Sequence, residues 1–309
     1  MGQAAYYTCA FPSMITRWRE AFGAPTLWFG FVQIAGYAYS KPYGPHHLPE
    51  KDHSHYAGDL RQSQLAALKL PNVGLSTAID TGDWQNIHPP DKQTVALRLA
   101  DQAMVQAYKQ PSATSVWYPM YFTAALDPPS PLAGETASTV EVTVTVRAHG
   151  KPVALTTALP AWAAQSTTLG KGPDLPRNEC VTRVAAYGLT FPSDCGYPMI
   201  IGSNASGARI ALNATASIAG DDLSSIKLTA TLPAAMRGTG GFTPSATSYG
   251  RASWPMTLFF SLENGLPLLP WLKDGLGIGG EEADVELPHR LPAWAEAMVD
   301  EELGKLFDV

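Results

Sequence analysis

Two carboxylates and a histidine follow one apolar run in the first third of the chain. Asp80 and Asp83 stand eight and five residues before His88, directly after the apolar run at residues 73–79. Such a run is typical of a buried strand, and α/β enzymes present functional side chains at the carboxyl ends of their strands. A histidine that acts as general base and a carboxylate that orients it are two of the three members of a Ser-His-Asp site. The spacing therefore predicts the acid–base arm of a hydrolytic site.

The residues around this arm differ in how they could take part. Asp83 can fold back towards His88 across a short loop, so it is the first choice for the orienting carboxylate. Asp80, at the end of the strand, is the runner-up, and its alternative role is to form a turn. Trp84 and Gln85 would line a substrate cleft if the loop faces it, although a loop tryptophan is as often a packing residue.

Gln33 is a polar residue within an apolar strand pattern at residues 26–37. It is a second candidate for the cleft, in which case its side chain would reach towards the site. Its alternative role is to hydrogen-bond a buried backbone group.

The elements that must position this arm follow from periodicity. Residues 1–110 predict the order helix–strand–helix–strand–helix, which is half of a three-layer α/β sandwich. Asp91 is placed to cap the third helix, whose Val95, Leu99 and Ala103 lie on one stripe.

The rest of the chain predicts a different architecture. Residues 111–134 are rich in proline and predict a linker. Residues 135–271 predict an antiparallel β-domain of the sandwich type, because stretches such as 139–146 alternate strictly. Residues 272–309 predict a glycine-rich segment and an acidic amphipathic helix.

Composition limits the partners and ligands. The net charge of −6 argues against nucleic-acid binding, which needs a basic surface, and no apolar run is long enough for a membrane span. Four histidines cluster at positions 46, 47, 53 and 55, but they lie among Pro, Gly and Tyr without the regular spacing of zinc ligands. We therefore interpret them as a solvated loop and predict no metal.

Cysteines and sequons favour an oxidising compartment. Cys180 and Cys195 are predicted to close a short disulfide loop, which leaves Cys9 as the third cysteine. Asn204 and Asn213 each begin a glycosylation sequon. The first ten residues lack the pattern of a secretory leader, so the prediction of a secreted or lysosomal protein depends on a leader in the full-length protein.

Four sequence blocks occur in an order that resembles one family. They are YYTCAFPSMITRWR at residues 6–19, WFGFVQI at 28–34, LRQSQ at 60–64 and IHPPDKQTVALRL at 87–99. Together they are similar to the later part of the catalytic domain of the sialate O-acetylesterases, which are carbohydrate esterases of the SGNH-hydrolase type. The resemblance covers about the first third of the chain, with a weaker echo at residues 249–271.

The resemblance implies a fold and an activity. The fold would be a partial SGNH-like sandwich followed by the β-domain. The activity would be removal of O-acetyl groups from sialic acid or a related sugar, with His88 as general base, an acetylated sugar or glycan as partner and no cofactor. Many SGNH enzymes have their aspartate three residues before the histidine, where this chain has Gln85. The orienting carboxylate therefore stays open between Asp83 and Asp80.

The nucleophile is the missing member. The resemblance places it on a Gly-x-Ser-Asn block before residue 6, and none of the serines before His88 lies on such a block or on a glycine-bracketed elbow. We expect this chain to be the later part of a longer domain, with negligible hydrolysis by itself. One alternative is a non-catalytic, carbohydrate-binding pseudoenzyme. Another is an acetylxylan-type polysaccharide deacetylase.

Overall fold

The computed structural model describes residues 3–37, 56–82, 86–127, 138–158, 198–237, 241–251, 255 and 259–276. The first part is an α/β unit, in which helices alternate with two short strands. Its elements are α1 (Gln3–Ala21), β1 (Phe29–Gln33), α2 (Tyr56–Gln64), a 3-10 helix (Leu65–Lys69), β2 (Val73–Thr77) and α3 (Lys92–Gln106).

The second part consists mainly of strands. They are β3 (Met120–Leu126), β4 (Thr139–Ala148), β5 (Lys151–Pro152), β6 (Leu155–Thr156), β7 (Met199–Asn204), β8 (Arg209–Ala219), β9 (Ser225–Thr231), β10 (Phe242–Tyr249), β11 (Phe260–Ser261) and β12 (Trp271–Asp274). A second 3-10 helix, Ala234–Met236, lies between β9 and β10.

In the α/β unit, β1 and β2 run parallel, with Phe29 opposite Val73 and Gln33 opposite Thr77. Every residue of β2 is buried, as expected for a parallel strand that is covered on both faces. The glycines Gly30 and Gly74 face each other across the two strands, and the indole of Trp28 fills the space where their side chains would be. These glycines therefore allow a large aromatic ring to pack directly on the backbone of both strands.

An eight-stranded antiparallel sheet forms most of the second part. Its strand order is β12-β10-β7-β8-β9-β4-β3, and β5 pairs with β4 outside this path. In β4, Val142, Val144 and Val146 are fully buried, and the alternating residues between them are half-buried. A separate two-stranded sheet pairs β11 with β6. The strict alternation seen in the sequence thus places one face of β4 in the core.

Residues on the two edge strands of the large sheet are in contact. Tyr121 on edge strand β3 packs against Trp271 on edge strand β12, with 5.7 Å between ring centroids. The Leu269 N–H donates to the Pro119 carbonyl at 3.0 Å, which ties together the segments that lead into these strands. Tyr118 and Leu269 also belong to the apolar core of the α/β unit, beside Phe31 and Leu75. The two parts therefore share a packed boundary.

The order of elements in the α/β unit and the strand at 139–148 confirm the sequence predictions. One difference concerns residues 111–134, which were expected to be a linker. Residues 120–126 within it form β3, because the prolines flank this stretch without interrupting it and its N–H groups are free to pair with β4. The predicted C-terminal helix lies outside the described residues.

Candidate active site

Buried polar side chains hold the carboxyl ends of β1 and β2 together. The Thr77 hydroxyl donates to Gln33 Oε1 at 2.7 Å, and Gln33 Nε2 donates to the Arg61 carbonyl at 3.1 Å. The Arg61 guanidinium in turn donates to the carbonyls of Ile34 and Ala35, both at 2.8 Å. Gln33 and Arg61 are fully buried. This network fixes the directions in which the chain leaves both strands.

Asp80 lies at the end of the apolar run and forms a buried ion pair. Its Oδ1 and Oδ2 accept from Arg98 NH1 and NH2 at 2.8 and 2.7 Å, and its side chain is only 4% exposed. Arg98 NH1 also donates to the Thr77 carbonyl at 3.0 Å. Burial by itself would lower the pKa of the Arg98 guanidinium, but the charge and hydrogen bonds of Asp80 outweigh burial and raise that pKa. The pair anchors the loop to α3.

A close backbone approach positions the start of the same loop. A Cβ atom at Gly82 would lie 2.3 Å from the Gly36 carbonyl oxygen, so only glycine fits at this point. Between Asp80 and Gly82, the buried Thr81 hydroxyl has no hydrogen-bond partner among the described residues. The segments that follow β1 and β2 are thus held against each other immediately before Asp83.

His88 lies in the loop between this anchor and α3. Its backbone N–H donates to Asn86 Oδ1 at 2.9 Å, and the residue is exposed. Three residues later Asp91 caps α3, since its Oδ1 accepts from the Thr94 N–H at 3.0 Å. The imidazole is therefore presented to solvent from a loop that is fixed at both ends, by an ion pair and by a helix cap.

The sequence-predicted site residues fall into three groups. His88 and Asp80 lie on the same loop, as expected. Gln33 is buried in the network between the strands, where it bonds the backbone carbonyl of Arg61. Asp83, Trp84 and Gln85 lie outside the described residues, as do the histidines at positions 46, 47, 53 and 55 and the cysteines Cys180 and Cys195.

One serine before His88 lies in a Gly-x-Ser triplet, but its environment differs from that of a catalytic serine. Gly74-Leu75-Ser76 is a Gly-x-Ser triplet before His88. Ser76 lies within β2, is fully buried and donates its hydroxyl hydrogen to the Val95 carbonyl at 2.9 Å. A nucleophile needs an exposed hydroxyl on a strand-to-helix turn, so this serine has a structural role.

Both sequon asparagines lie in the large sheet. Asn204, at the end of β7, accepts from the Ser206 hydroxyl at 2.7 Å and from the Ala208 N–H at 2.9 Å. Asn213 is exposed on β8. Cys9 in α1 is a free thiol.

The described residues contain neither a cluster of metal-ligating side chains nor a helix that could span a membrane. Among the described residues, no three His, Cys, Asp or Glu side chains converge as metal ligands would. No described helix has the length and apolar character needed to cross a membrane.

Sequence reasoning missed Arg98 and Gln102. The predicted stripe of α3 was apolar, with Val95, Leu99 and Ala103, yet the buried residues of this helix are Arg98 and Gln102. Gln102 accepts from the Leu75 N–H at 2.8 Å and donates to the Val116 carbonyl at 3.1 Å. The available signal was their spacing, because residues 95, 98, 99 and 102 share one face of a helix.

The chain is similar in structure to a solved esterase and in sequence to a group of curated proteins. A solved carbohydrate acetylesterase from Xanthomonas citri aligns with 88% of this chain and 46% of its own, with a TM-score of 0.55 and 22% identity. This likeness shows the fold, a mixed α/β fold with mostly strands. No model of a known protein family matches the chain.

The relatives by sequence are sialate O-acetylesterases. The mouse protein (Mus musculus) is 37% identical over 121 residues, which cover 35% of this chain and 21% of the relative. The human protein (Homo sapiens) is 33% identical over 125 residues, covering 35% of this chain and 22% of the relative. The match spans about a fifth of the length of these relatives. The resemblance to the sialate O-acetylesterases that the sequence blocks predicted is thereby confirmed.

Proposed function

We propose that this chain provides the acid–base arm of a carbohydrate O-acetylesterase that removes acetyl groups from sialic acid or a related sugar. The observation that carries the proposal is the exposed His88 on a loop anchored by Asp80–Arg98 and by the Asp91 cap. The relatives named sialate O-acetylesterase support the reaction class. The structural likeness to the carbohydrate acetylesterase from Xanthomonas citri supports a fold that is compatible with this reaction.

In the proposed mechanism, a serine outside these 309 residues attacks the acetyl carbonyl, and His88 takes the serine proton. Collapse of the tetrahedral intermediate leaves an acetyl-serine and returns that proton to the departing sugar hydroxyl. Water, deprotonated by His88, then attacks the acetyl-serine and releases acetate. Histidine is the side chain that most often acts as general acid and base, which suits both proton transfers. No cofactor takes part.

The orienting carboxylate in this proposal is Asp83. Both carboxylate oxygens of Asp80 already accept hydrogen bonds from Arg98, so Asp80 is better suited to hold the loop than to orient an imidazole. In sequence, Asp83 comes directly after the close approach at Gly82 and five residues before His88, so we assign it the orienting role. Trp84 and Gln85 would line the cleft, and Gln33 would hold the end of β1 through its hydrogen bond to the Arg61 carbonyl.

The proposal extends to the surrounding protein. The α/β unit would be part of a three-layer SGNH-like sandwich over residues 1–110, with the antiparallel sheet as a separate domain. A secretory or lysosomal route would allow the Cys180–Cys195 disulfide and glycans on Asn204 and Asn213. A loss of mass after peptide N-glycosidase treatment of the protein from its native cells is expected, and an unchanged mass would contradict this part.

The test is acetate release by the protein from the complete transcript, with O-acetylated sialic acid and acetylated xylan as substrates. His88→Ala is expected to lower kcat by about 10²–10⁴-fold, because it removes the general base. Gln93→Ala, an exposed change on the first turn of α3, is the control and should keep the wild-type rate. Asp83→Asn should lower kcat while stability is retained, whereas Asp80→Asn should mainly lower stability.

The other outcomes discriminate between the alternatives. Sugar binding without acetate release by the complete protein would identify a pseudoenzyme, and release from xylan alone would identify a polysaccharide deacetylase. The 309-residue chain by itself should release no acetate. If it did, and if His88→Ala abolished the release, the nucleophile would lie within this chain and the assignment of an outside serine would be wrong.

A further inference from the structure

A large cleft lies at the boundary between the α/β unit and the antiparallel sheet. Its volume is about 910 Å³. One wall comprises the 3-10 helix Leu65–Lys69 and the first half of β2, and the opposite wall comprises residues 117–121 and 269–274. None of the described residues of the His88 loop, 80–82 and 86–91, lines it. The cleft is therefore distinct from the described part of that loop, and its volume is within the range of small-molecule binding sites.

Aromatic rings form the sheet side of this boundary cleft. Trp117 is half-buried and stacks on the exposed His149 ring, with centroids 4.4 Å apart and planes 10° from parallel. Tyr121, also half-buried, leans on Trp271. Rings that are held by such contacts cannot turn freely, so they offer fixed apolar faces at a low cost in conformational entropy.

Two lysines supply the charge of the boundary cleft. Lys69, on the 3-10 helix, and Lys273, on β12, both line it, and neither forms a salt bridge with a carboxylate of the described residues. Asp274 also lines the cleft, but its carboxylate pairs with Arg209 at 3.1 Å. Burial, and then the nearby positive charge of Lys69, lower the pKa of the Lys273 ammonium group. An anion between the two lysines would relieve this repulsion.

We propose that the boundary cleft binds a sugar that carries a carboxylate, through Lys69 and Lys273 on the carboxylate and through Trp117 and Tyr121 on the ring. The ammonium groups of the two lysines would bracket the anion, while the C–H faces of a pyranose match an aromatic wall. Sialic acids and hexuronic acids share this chemistry. The proposal concerns binding alone and does not depend on ester hydrolysis.

The apolar lining is too extensive for a site that binds a simple inorganic anion. Leu65, Leu68, Met120 and Leu272 line the cleft together with the aromatic residues. A neutral sugar, on the other hand, would leave the two like charges uncompensated. The combination of charge and apolar surface therefore selects a carboxylated sugar.

The test uses the complete 309-residue chain and ligands that carry no ester. N-acetylneuraminic acid and glucuronic acid are the two carboxylated probes, and N-acetylglucosamine is the neutral probe, each titrated by ligand-observed NMR. Lys69→Gln combined with Lys273→Gln is expected to weaken binding of the carboxylated probes by at least about tenfold, because charge-assisted hydrogen bonds are lost. Lys92→Gln removes an exposed lysine outside the cleft and should leave binding unchanged.

Three results would overturn the proposal. They are no binding of either carboxylated probe, equal binding of the neutral probe, and binding that is lost in His88→Ala but kept in the double lysine variant. Binding of both carboxylated probes would support the general class, and binding of N-acetylneuraminic acid alone would narrow it to sialic acids. The two lysine side chains can be changed without creating a cavity in the core. Tyr121→Ala gives a second test that changes no charge, because it removes the aromatic face on which the sugar ring would pack.

Discussion

The α/β unit and the antiparallel sheet are stabilised by different kinds of interior. Among the described residues, the buried guanidinium and amide side chains all belong to the α/β unit: Arg19, Gln33, Arg61, Gln64, Arg98 and Gln102. The interior of the sheet is apolar, with Val144, Ile226 and Leu228 fully buried, and its few buried polar side chains are hydroxyls. The interior of the α/β unit thus contains hydrogen-bonding side chains, whereas the interior of the sheet contains mainly hydrocarbon side chains.

The difference follows from the backbone. In the antiparallel sheet, neighbouring strands satisfy most main-chain groups, so side chains need only fill space. In the α/β unit, the ends of two short parallel strands leave carbonyls without a strand partner. Arg19 accordingly donates to the carbonyls of Leu27 and Pro71, and Arg61 donates to those of Ile34 and Ala35. The loop with His88 therefore depends on directional contacts, whereas the sheet depends on volume.

The largest effect is expected when one member of the buried ion pair is removed. Arg98→Met would leave the Asp80 carboxylate buried without its partner, at a cost of about 3–5 kcal/mol in the free energy of unfolding. The measurement is urea unfolding followed by tryptophan fluorescence. Combining Arg98→Met with Asp80→Leu should recover part of the loss, because an apolar pair leaves no unpaired charge. A double variant as unstable as the single one would show that the charge of Asp80 is not the cause.

Two substitutions that nearly conserve shape compare the interiors directly. Gln102→Met should cost about 1–3 kcal/mol, since the Leu75 N–H and the Val116 carbonyl lose their partner. Leu228→Met, in the core of the sheet, should cost less than about 1.5 kcal/mol because it conserves volume and leaves no polar group unpaired. Both values come from the same unfolding assay. Equal costs would remove the distinction between a directional interior and one that depends on volume.

The smallest effect concerns the cap that ends the His88 loop. Asp91→Ala should lower the free energy of unfolding by about 1 kcal/mol, through loss of the hydrogen bond from the Thr94 N–H. Asp101→Ala removes an exposed carboxylate within the same helix and should change it by less than about 0.5 kcal/mol. If the two variants were equally stable, general charge on α3 would account for the effect, and the cap would not anchor the loop.

Several features could be predicted from residues that are near one another in the chain. The run at 73–79 predicts β2, Asp91 followed by an apolar helical pattern predicts the cap of α3, and the alternation at 139–146 predicts β4. Each depends on a period of two or 3.6 residues, or on a contact across one helical turn. The position of His88, between a strand end and a helix cap, follows from the same local signals.

Other features depend on contacts that no local pattern contains. Asp80 meets Arg98, and Gln33 meets Arg61 and Thr77, only after the strands and helices have packed. For the same reason the sequence predicts a linker where β3 forms, since the pairing of β3 with β4 depends on contacts across the intervening chain.

The sequence by itself therefore determined the types of element, their order, the family resemblance and the loop that carries His88. The tertiary structure decided that Asp80 is held in an ion pair and that Gln33 lies inside the protein. It also decided that Tyr121 and Trp271, on the two edge strands of the sheet, meet beside the boundary cleft. The physical reason is that periodicity determines which face of an element is buried, whereas the partner of a buried polar group depends on which elements meet.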